Sequence, residues 1–328
     1  GMSRTGTLGR LFGHVAEPTL QLHPQDMARR LLRDGDLVHV TSRRGSIVVP
    51  AQGSSEVAMS QAFMAMHWGP EFLTGRSSTG TRLAGVNAIT TAAFCPISKQ
   101  PELKHAAVKI LKAELPWSLL GVAWLPEDQA LQAREQLKHV MAQLPFASCV
   151  PFGRERAGVL LRAAAHEVPD EKLLARVESL LGLAGPDVLR YADRRKGQRR
   201  AMRLVRQGAV TRLDGFLLAG DIRAESWIKT LLQEELPAQD YGRLLLAPGA
   251  IAPKAIRPRG RQICTCLNVT DAGIDEHLAA CTGGAEERFA SLQAGLKCGT
   301  SCGSCVPELR RMVTASMAPS LVAPPGAE

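Results

Sequence analysis

Two short cysteine pairs constrain this chain most: Cys264-Thr-Cys266, then 35 intervening residues, then Cys302-Gly-Ser-Cys305. Two thiols separated by one or two residues can face one centre without strain, and Gly303 leaves the backbone room to bend amides toward sulfur. Six of the eight cysteines fall between Cys264 and Cys305. That is a local concentration rather than a disulfide framework spread over the chain, so metal or redox chemistry comes first. Cys264, Cys266, Cys302 and Cys305 are the candidate ligands, and zinc and an iron-sulfur cluster both suit four thiolates. Cys298 and Cys281 read as incidental buried thiols, with a competing ligand as the alternative, and Cys95 and Cys149 read as core packing.

The rest of the chain is long enough for two or three cores. With 328 residues, 45% of them hydrophobic, it is too apolar for disorder. The net charge of +9 comes from Lys and Arg scattered without interleaved aromatics, which make up only 4% of residues, so nucleic-acid binding has little support. No apolar run approaches the roughly 20 residues of a membrane-spanning helix. The start, Gly1-Met2-Ser3-Arg4-Thr5-Gly6, lacks the apolar core of a secretory signal, and the expectation is a cytoplasmic protein.

Periodicity divides the chain in three. Residues 1–113 carry a short apolar-alternating run at Thr19 to Leu22 and β-branched runs at Asp36 to Ser42 and Ser46 to Ala51, with further strands expected at Phe63 to Met66 and Ala106 to Leu111. A helix of about ten residues is expected between Pro24 and Gly35, and a mostly β barrel is the economical architecture. Residues 114–258 alternate strand and helix in the order βαββαβ, a ferredoxin-like α/β sandwich. The stretch from Arg190 to Arg206 is crowded with Arg and Lys. It reads as a solvated face around a turn at Gly197, with an acidic or phosphate partner as the alternative. Pro248, Gly249, Pro253 and Pro258 punctuate a linker. Residues 259–328 then read as a small helical cysteine domain with helices over 270–278, 286–296 and 306–312.

Three resemblances follow from these residues. Cys266-Leu-Asn-Val-Thr270 and Gly299-Thr-Ser-Cys302-Gly-Ser-Cys305-Val-Pro-Glu-Leu309 resemble the bacterioferritin-associated-ferredoxin-like (BFD-like) 2Fe-2S domain. Ser3-Arg4-Thr5-Gly6, His23-Pro24-Gln25-Asp26, Ser42-Arg43-Arg44-Gly45, Met66-His67-Trp68, Asn87 and the run Ser98 to Lys104 resemble the C-terminal molybdopterin-dinucleotide-binding domain of bacterial nitrate reductases. The order of the two resembles the C-terminal third of the catalytic subunit of cytoplasmic assimilatory nitrate reductases. The stretch Lys196 to Leu204, with Gly220-Asp221 and Trp227, is similar to one preceding the same cysteine domain in siroheme nitrite reductases.

The resemblance implies a double-psi β-barrel over one molybdopterin guanine dinucleotide (bis-MGD in the full enzyme). It places Ser3, Arg4, Thr5, Asn87 and Lys104 against that cofactor and His67 and Trp68 along the substrate funnel; the alternatives are a simple turn at Asn87, a solvated surface charge at Lys104 and core packing for His67 and Trp68. It implies a 2Fe-2S cluster on the four cysteines, a molybdenum ligand upstream of this chain, and inactivity of the piece alone. The implied partners are the N-terminal remainder of the same subunit, nitrate, and a flavin-bearing reductase, flavodoxin or ferredoxin as electron donor. A stand-alone 2Fe-2S electron-transfer or regulatory protein and a zinc-clipped interaction protein are the competing readings.

Overall fold

A computed structural model describes residues 15–317 apart from 67, 77–78, 103–104, 249–250, 252, 254–255 and 257–258. Ser3, Arg4, Thr5, His67 and Lys104 therefore lie outside the described residues. The chain divides into two compact units, with the boundary between 257 and 258.

The first unit holds two sheets. Strands β1 (Leu20–Leu22), β2 (Leu37–Thr41), β3 (Ser46–Gly53), β4 (Ala62–Met64) and β7 (Lys109–Lys112) form one in the order β4-β1-β3-β2-β7, with β1 parallel to β3 and the other pairs antiparallel. The second is eight-stranded and antiparallel, in the order β11-β12-β13-β8-β10-β9-β5-β6. Its strands are β5 (Leu73–Arg76), β6 (Arg82–Ala84), β8 (Trp117–Trp124), β9 (Phe146–Phe152), β10 (Gly158–Ala165), β11 (Val188–Asp193), β12 (Gln198–Gln207) and β13 (Val210–Ala219). The sheet thus crosses the position expected to divide residues 113 and 114. Leu73, Thr74 and Gly75 of β5 pair with Ser148, Ala147 and Phe146 of β9.

Helices cover both faces of the large sheet, which is why its central strands read as unbroken apolar runs. Helices α2 (Glu127–Met141) and α3 (Glu171–Leu180) bury Ala130, Ala133, Leu137, Val140, Leu174 and Val177 against Leu119, Ala123, Leu161 and Leu217. Helix α4 (Glu225–Gln233) buries Trp227, Ile228 and Leu231 against Leu120, Val122, Leu160 and Leu218. Successive residues of β8 alternate between the two cores, as the pleat requires. The expected βαββαβ order seats its last strand beside the first, and here β13 takes that seat next to β8 while β11 lies at the edge. The cause is local: β12 and β13 form a hairpin across a two-residue turn with Gly208 at φ 63, and β11 pairs only with β12.

Helix α1 (Pro24–Arg29) is shorter than expected from Gly35. Leu31 adopts φ 54, its amide donates to Ala28 O at 3.1 Å, and the Leu32 amide donates to Met27 O at 2.9 Å. This is a Schellman closure with leucine where glycine is favoured. Because Leu31 is 84% exposed, Leu31→Gly removes left-handed strain without losing packing. It should stabilise the unit by about 1 kcal/mol, read as a higher urea midpoint.

The second unit is built from a hairpin, β14 (Gln262–Cys264) and β15 (Val269–Thr270), and three helices: α5 (Asp271–Ala279), α6 (Ala285–Leu296) and α7 (Val306–Met317). Thr270 caps α5 by accepting from the Gly273 amide at 3.3 Å, as the sequence leads one to expect. Ile274, Leu278, Leu292, Leu309 and Val313 make its core.

Candidate functional site

The four ligand-type cysteines arrive from two places in the second unit. Cys264 ends β14 and Cys266 sits in the turn toward β15, where Asn268 has φ 58. Cys302 and Cys305 lie in the loop joining α6 to α7. That loop turns through left-handed Lys297, Gly299 and Gly303. Gly299 is required on two counts: its φ is 80, and a Cβ there would press to 3.2 Å from both Leu309 and Val306. The turns bring the two pairs together crosswise. The Cys266 thiol lies 3.2 Å from Cys302 Sγ, and Cys264 and Cys305 are neighbours in the buried core beneath.

The two contacts differ in environment. Cys264 and Cys305 are buried, Cys302 is exposed, and Cys266 lies between these extremes. The Ser304 hydroxyl and amide, with the Cys266 thiol, hold Cys302 down to about 7. Burial, reinforced by Cys264, pushes Cys305 up to about 12, while the Gly299 amide donates to its sulfur. Soft sulfur donors met by backbone amides are the chemistry that suits zinc or an iron-sulfur cluster, so the donor set fits either. Among the described residues, no three His, Cys, Asp or Glu side chains form a preformed metal-ion array. Cys266 and Cys302 are in contact, and Cys264 and Cys305 lie buried together in the core.

The remaining cysteines have other surroundings. Cys298 is fully buried against this core, its thiol pushed up by burial and by Cys264. Cys281 donates to Ser291 Oγ at 3.3 Å. Cys149 is buried in the first unit, where burial pushes its thiol up to about 12. Cys95 sits on a loop of the same unit, where the Ser98 hydroxyl and amide lower it.

A second candidate surface lies in the first unit. Asn87 is exposed on a 3-10 turn, Val86–Ala88, with its carbonyl accepting from Thr90 Oγ1 at 3.1 Å. The exposed Arg44, from the turn between β2 and β3, donates through Nη1 to Thr90 O at 3.1 Å. Trp68 does not present its ring to a ligand. It is fully buried, edge-on to Phe72 with centroids 5.6 Å apart, and its carbonyl accepts from the Val86 amide at 2.9 Å. Its size and apolarity are used to seat the Asn87 turn from below. Gly85 makes that approach possible, since its φ is 73 and a Cβ there would lie 3.0 Å from Trp68 O.

Sequence reasoning missed two features. Arg44 entered only within the Ser42-Arg43-Arg44-Gly45 run of the resemblance, with no role of its own. Arg162, a lone charge inside the apolar strand β10, meets Glu17 through Nε and Glu225 through Nη1 at 2.8 and 2.9 Å. The basic stretch from Arg190 is mostly internal wiring: Arg199 joins Glu171 and Glu178, Arg203 grips Asp214, and Arg200 is buried near Asp221. Arg194, Arg195 and Lys196 at the turn are exposed, as are Arg190 and Arg206 at the ends of the stretch.

Residues 1–107 match the family model described as the molydopterin dinucleotide binding domain. A nitrate reductase of Klebsiella oxytoca is 28% identical over 330 aligned positions, covering 97% of this chain and 32% of that protein. A nitrate reductase of Synechocystis sp. is 46% identical over 69 residues, 21% of this chain and 8% of that protein. The F420-dependent formate dehydrogenase subunit alpha of Methanocaldococcus jannaschii is 33% identical over 110 residues, 32% of this chain and 14% of that protein. The chain spans about a third of the length of the nitrate reductase it matches nearly end to end.

Proposed function

We propose that this chain is the dinucleotide-binding and electron-input part of a molybdenum-dependent assimilatory nitrate reductase, acting in the cytoplasm as a portion of a longer polypeptide. One observation carries the reading: a dinucleotide-binding match over residues 1–107 and a four-thiol unit lie in one chain that aligns almost throughout with a nitrate reductase. The formate dehydrogenase subunit aligns over only 110 residues, so it supports the cofactor assignment and does not bear on the cysteine unit.

In this reading residues 1–113 form the double-psi barrel, the middle is a ferredoxin-like spacing or docking module, and residues 259–328 are the BFD-like domain. Asn87 offers an amide to the dinucleotide; by the resemblance Ser3, Arg4 and Thr5 lie against the cofactor, Lys104 offers a cation, and His67 lies toward the substrate funnel. Cys264, Cys266, Cys302 and Cys305 would hold a 2Fe-2S cluster, with the Gly299 and Ser304 amides donating to sulfur. When bound, the cluster supplies one-electron transfer and the molybdopterin group the two-electron reduction of nitrate to nitrite. The exposed Cys302 edge is the side from which a flavin-bearing reductase, flavodoxin or ferredoxin would deliver electrons, and the buried Cys264–Cys305 side excludes water.

The test is an anaerobic preparation assayed for iron, zinc and acid-labile sulfide. About two irons and two sulfides per chain, with a visible absorbance bleached by dithionite, are expected. One zinc and no sulfide would overturn the electron-input role and make the unit a structural clip. Cys305→Ser should abolish the chromophore, whereas Cys298→Ser and Cys281→Ser should keep it. A spectrum unchanged by Cys305→Ser removes that residue from the ligand set.

A further inference from the structure

We propose that Arg44 is the cation that meets the pyrophosphate of the bound dinucleotide, beside the Asn87 amide. The inference rests on the dinucleotide reading and adds a residue and a subsite to it. Arg44 lies at the tip of a rigid hairpin: Ser42 N donates to Gly45 O at 2.8 Å, the Arg44 amide donates to Ser42 Oγ at 3.1 Å, and Thr41 and Ser46 hydroxyls meet at 2.8 Å. From there its side chain reaches 46 residues along the sequence to Thr90 O, on the same turn whose Thr90 hydroxyl binds Asn87 O.

Only one guanidinium N–H is used in that contact, and among the described residues no carboxylate comes within ion-pair distance of Arg43 or Arg44. A guanidinium carries five donors in a planar fork suited to phosphate oxygens, so most of the fork is left to face outward at the Asn87 turn. The contact with Thr90 does two things. It orients the fork before a ligand arrives, which lowers the ordering cost of binding, and it fixes the cation to the segment that carries the exposed Asn87. The unpartnered hydroxyl of Thr91, buried on the same turn, adds a further polar group there.

The experiment measures binding of GDP and of guanosine to the full chain by calorimetry, for wild type, Arg44→Gln and Arg44→Lys. Glutamine keeps a donor for Thr90 O and removes the charge, while lysine keeps the charge. Arg44→Gln is expected to weaken GDP about tenfold or more and leave guanosine within about twofold, with Arg44→Lys between wild type and Arg44→Gln for GDP. Unchanged GDP affinity in Arg44→Gln overturns the proposal. Equal losses for GDP and guanosine also overturn it, because Arg44 then shapes the turn without meeting phosphate. A wild-type chain that binds neither compound overturns the dinucleotide reading itself, and this inference falls with it.

Discussion

Residues 1–113 produced alone should show no cooperative thermal transition and little amide dispersion in an NMR spectrum, although the family match covers nearly all of them. The reason is that this stretch borrows its core. Phe146 and Ala164, from β9 and β10, are buried among Val38, Val40, Ile47, Val48 and Leu73. Strand β5 loses its only neighbour besides β6, and with it go bonds into the excised part: Cys149 N to Phe72 O at 2.9 Å, Arg76 N to Pro145 O at 2.8 Å and Thr74 Oγ1 to Met141 O at 3.1 Å. Each large apolar side chain returned to water costs about 1.5–3 kcal/mol, and several such exposures exceed the whole stability of an ordinary domain. A sharp melt and a dispersed spectrum would show that residues 1–113 are autonomous after all. Residues 259–328 have a separate core around Ile274, Leu292 and Leu309 and are the contrasting case.

Arg162→Met should cost about 3–5 kcal/mol at pH 7, because it strands two carboxylates that the guanidinium neutralises. The Arg162 and Glu17 side chains are only 15% and 14% exposed, and Glu225 and Lys229 complete the group at 2.5 and 3.7 Å. Burial alone would raise Glu17, but Arg162 and then Lys229 outweigh it and hold the carboxyl below its ordinary value of 4.5. A carboxyl lowered by folding contributes stability that is complete above pH 4.5 and is lost as the pH falls through its folded value. The gap in urea midpoint between wild type and Arg162→Met should therefore be widest near neutrality and narrow below pH 4.5. A gap that stays constant from pH 7 to acid would mean that lost packing, and not the ion group, sets the cost.

The features readable from sequence were those whose cause is local. The cysteine pairs were legible because one or two residues separate their members, and Thr270 because a cap is decided within one turn. The apolar strands of the middle were legible as runs, but their order was not: the seat of β13 beside β8 depends on pairings such as Leu217 with Gly121, across 96 residues. The end of α1 was misplaced because a leucine, not a glycine, takes the left-handed position. Arg162 gave no signal, since its partners lie 145 and 63 residues away. Arg199, Arg200 and Arg203 looked solvated because their carboxylates come from elsewhere: Glu178 on α3, Asp221 just beyond β13 and Asp214 within β13.

The long-range pairings have a kinetic side. Joining β5 to β9 and β13 to β8 requires closing loops of about 70 to 100 residues before any ladder bond is gained, and topologies of that kind fold slowly. The three-helix unit closes mostly short loops: α6 meets α5 and α7 across a few residues each. In a refolding experiment the three-helix unit is therefore expected to regain its packing faster than the larger unit regains its sheet order.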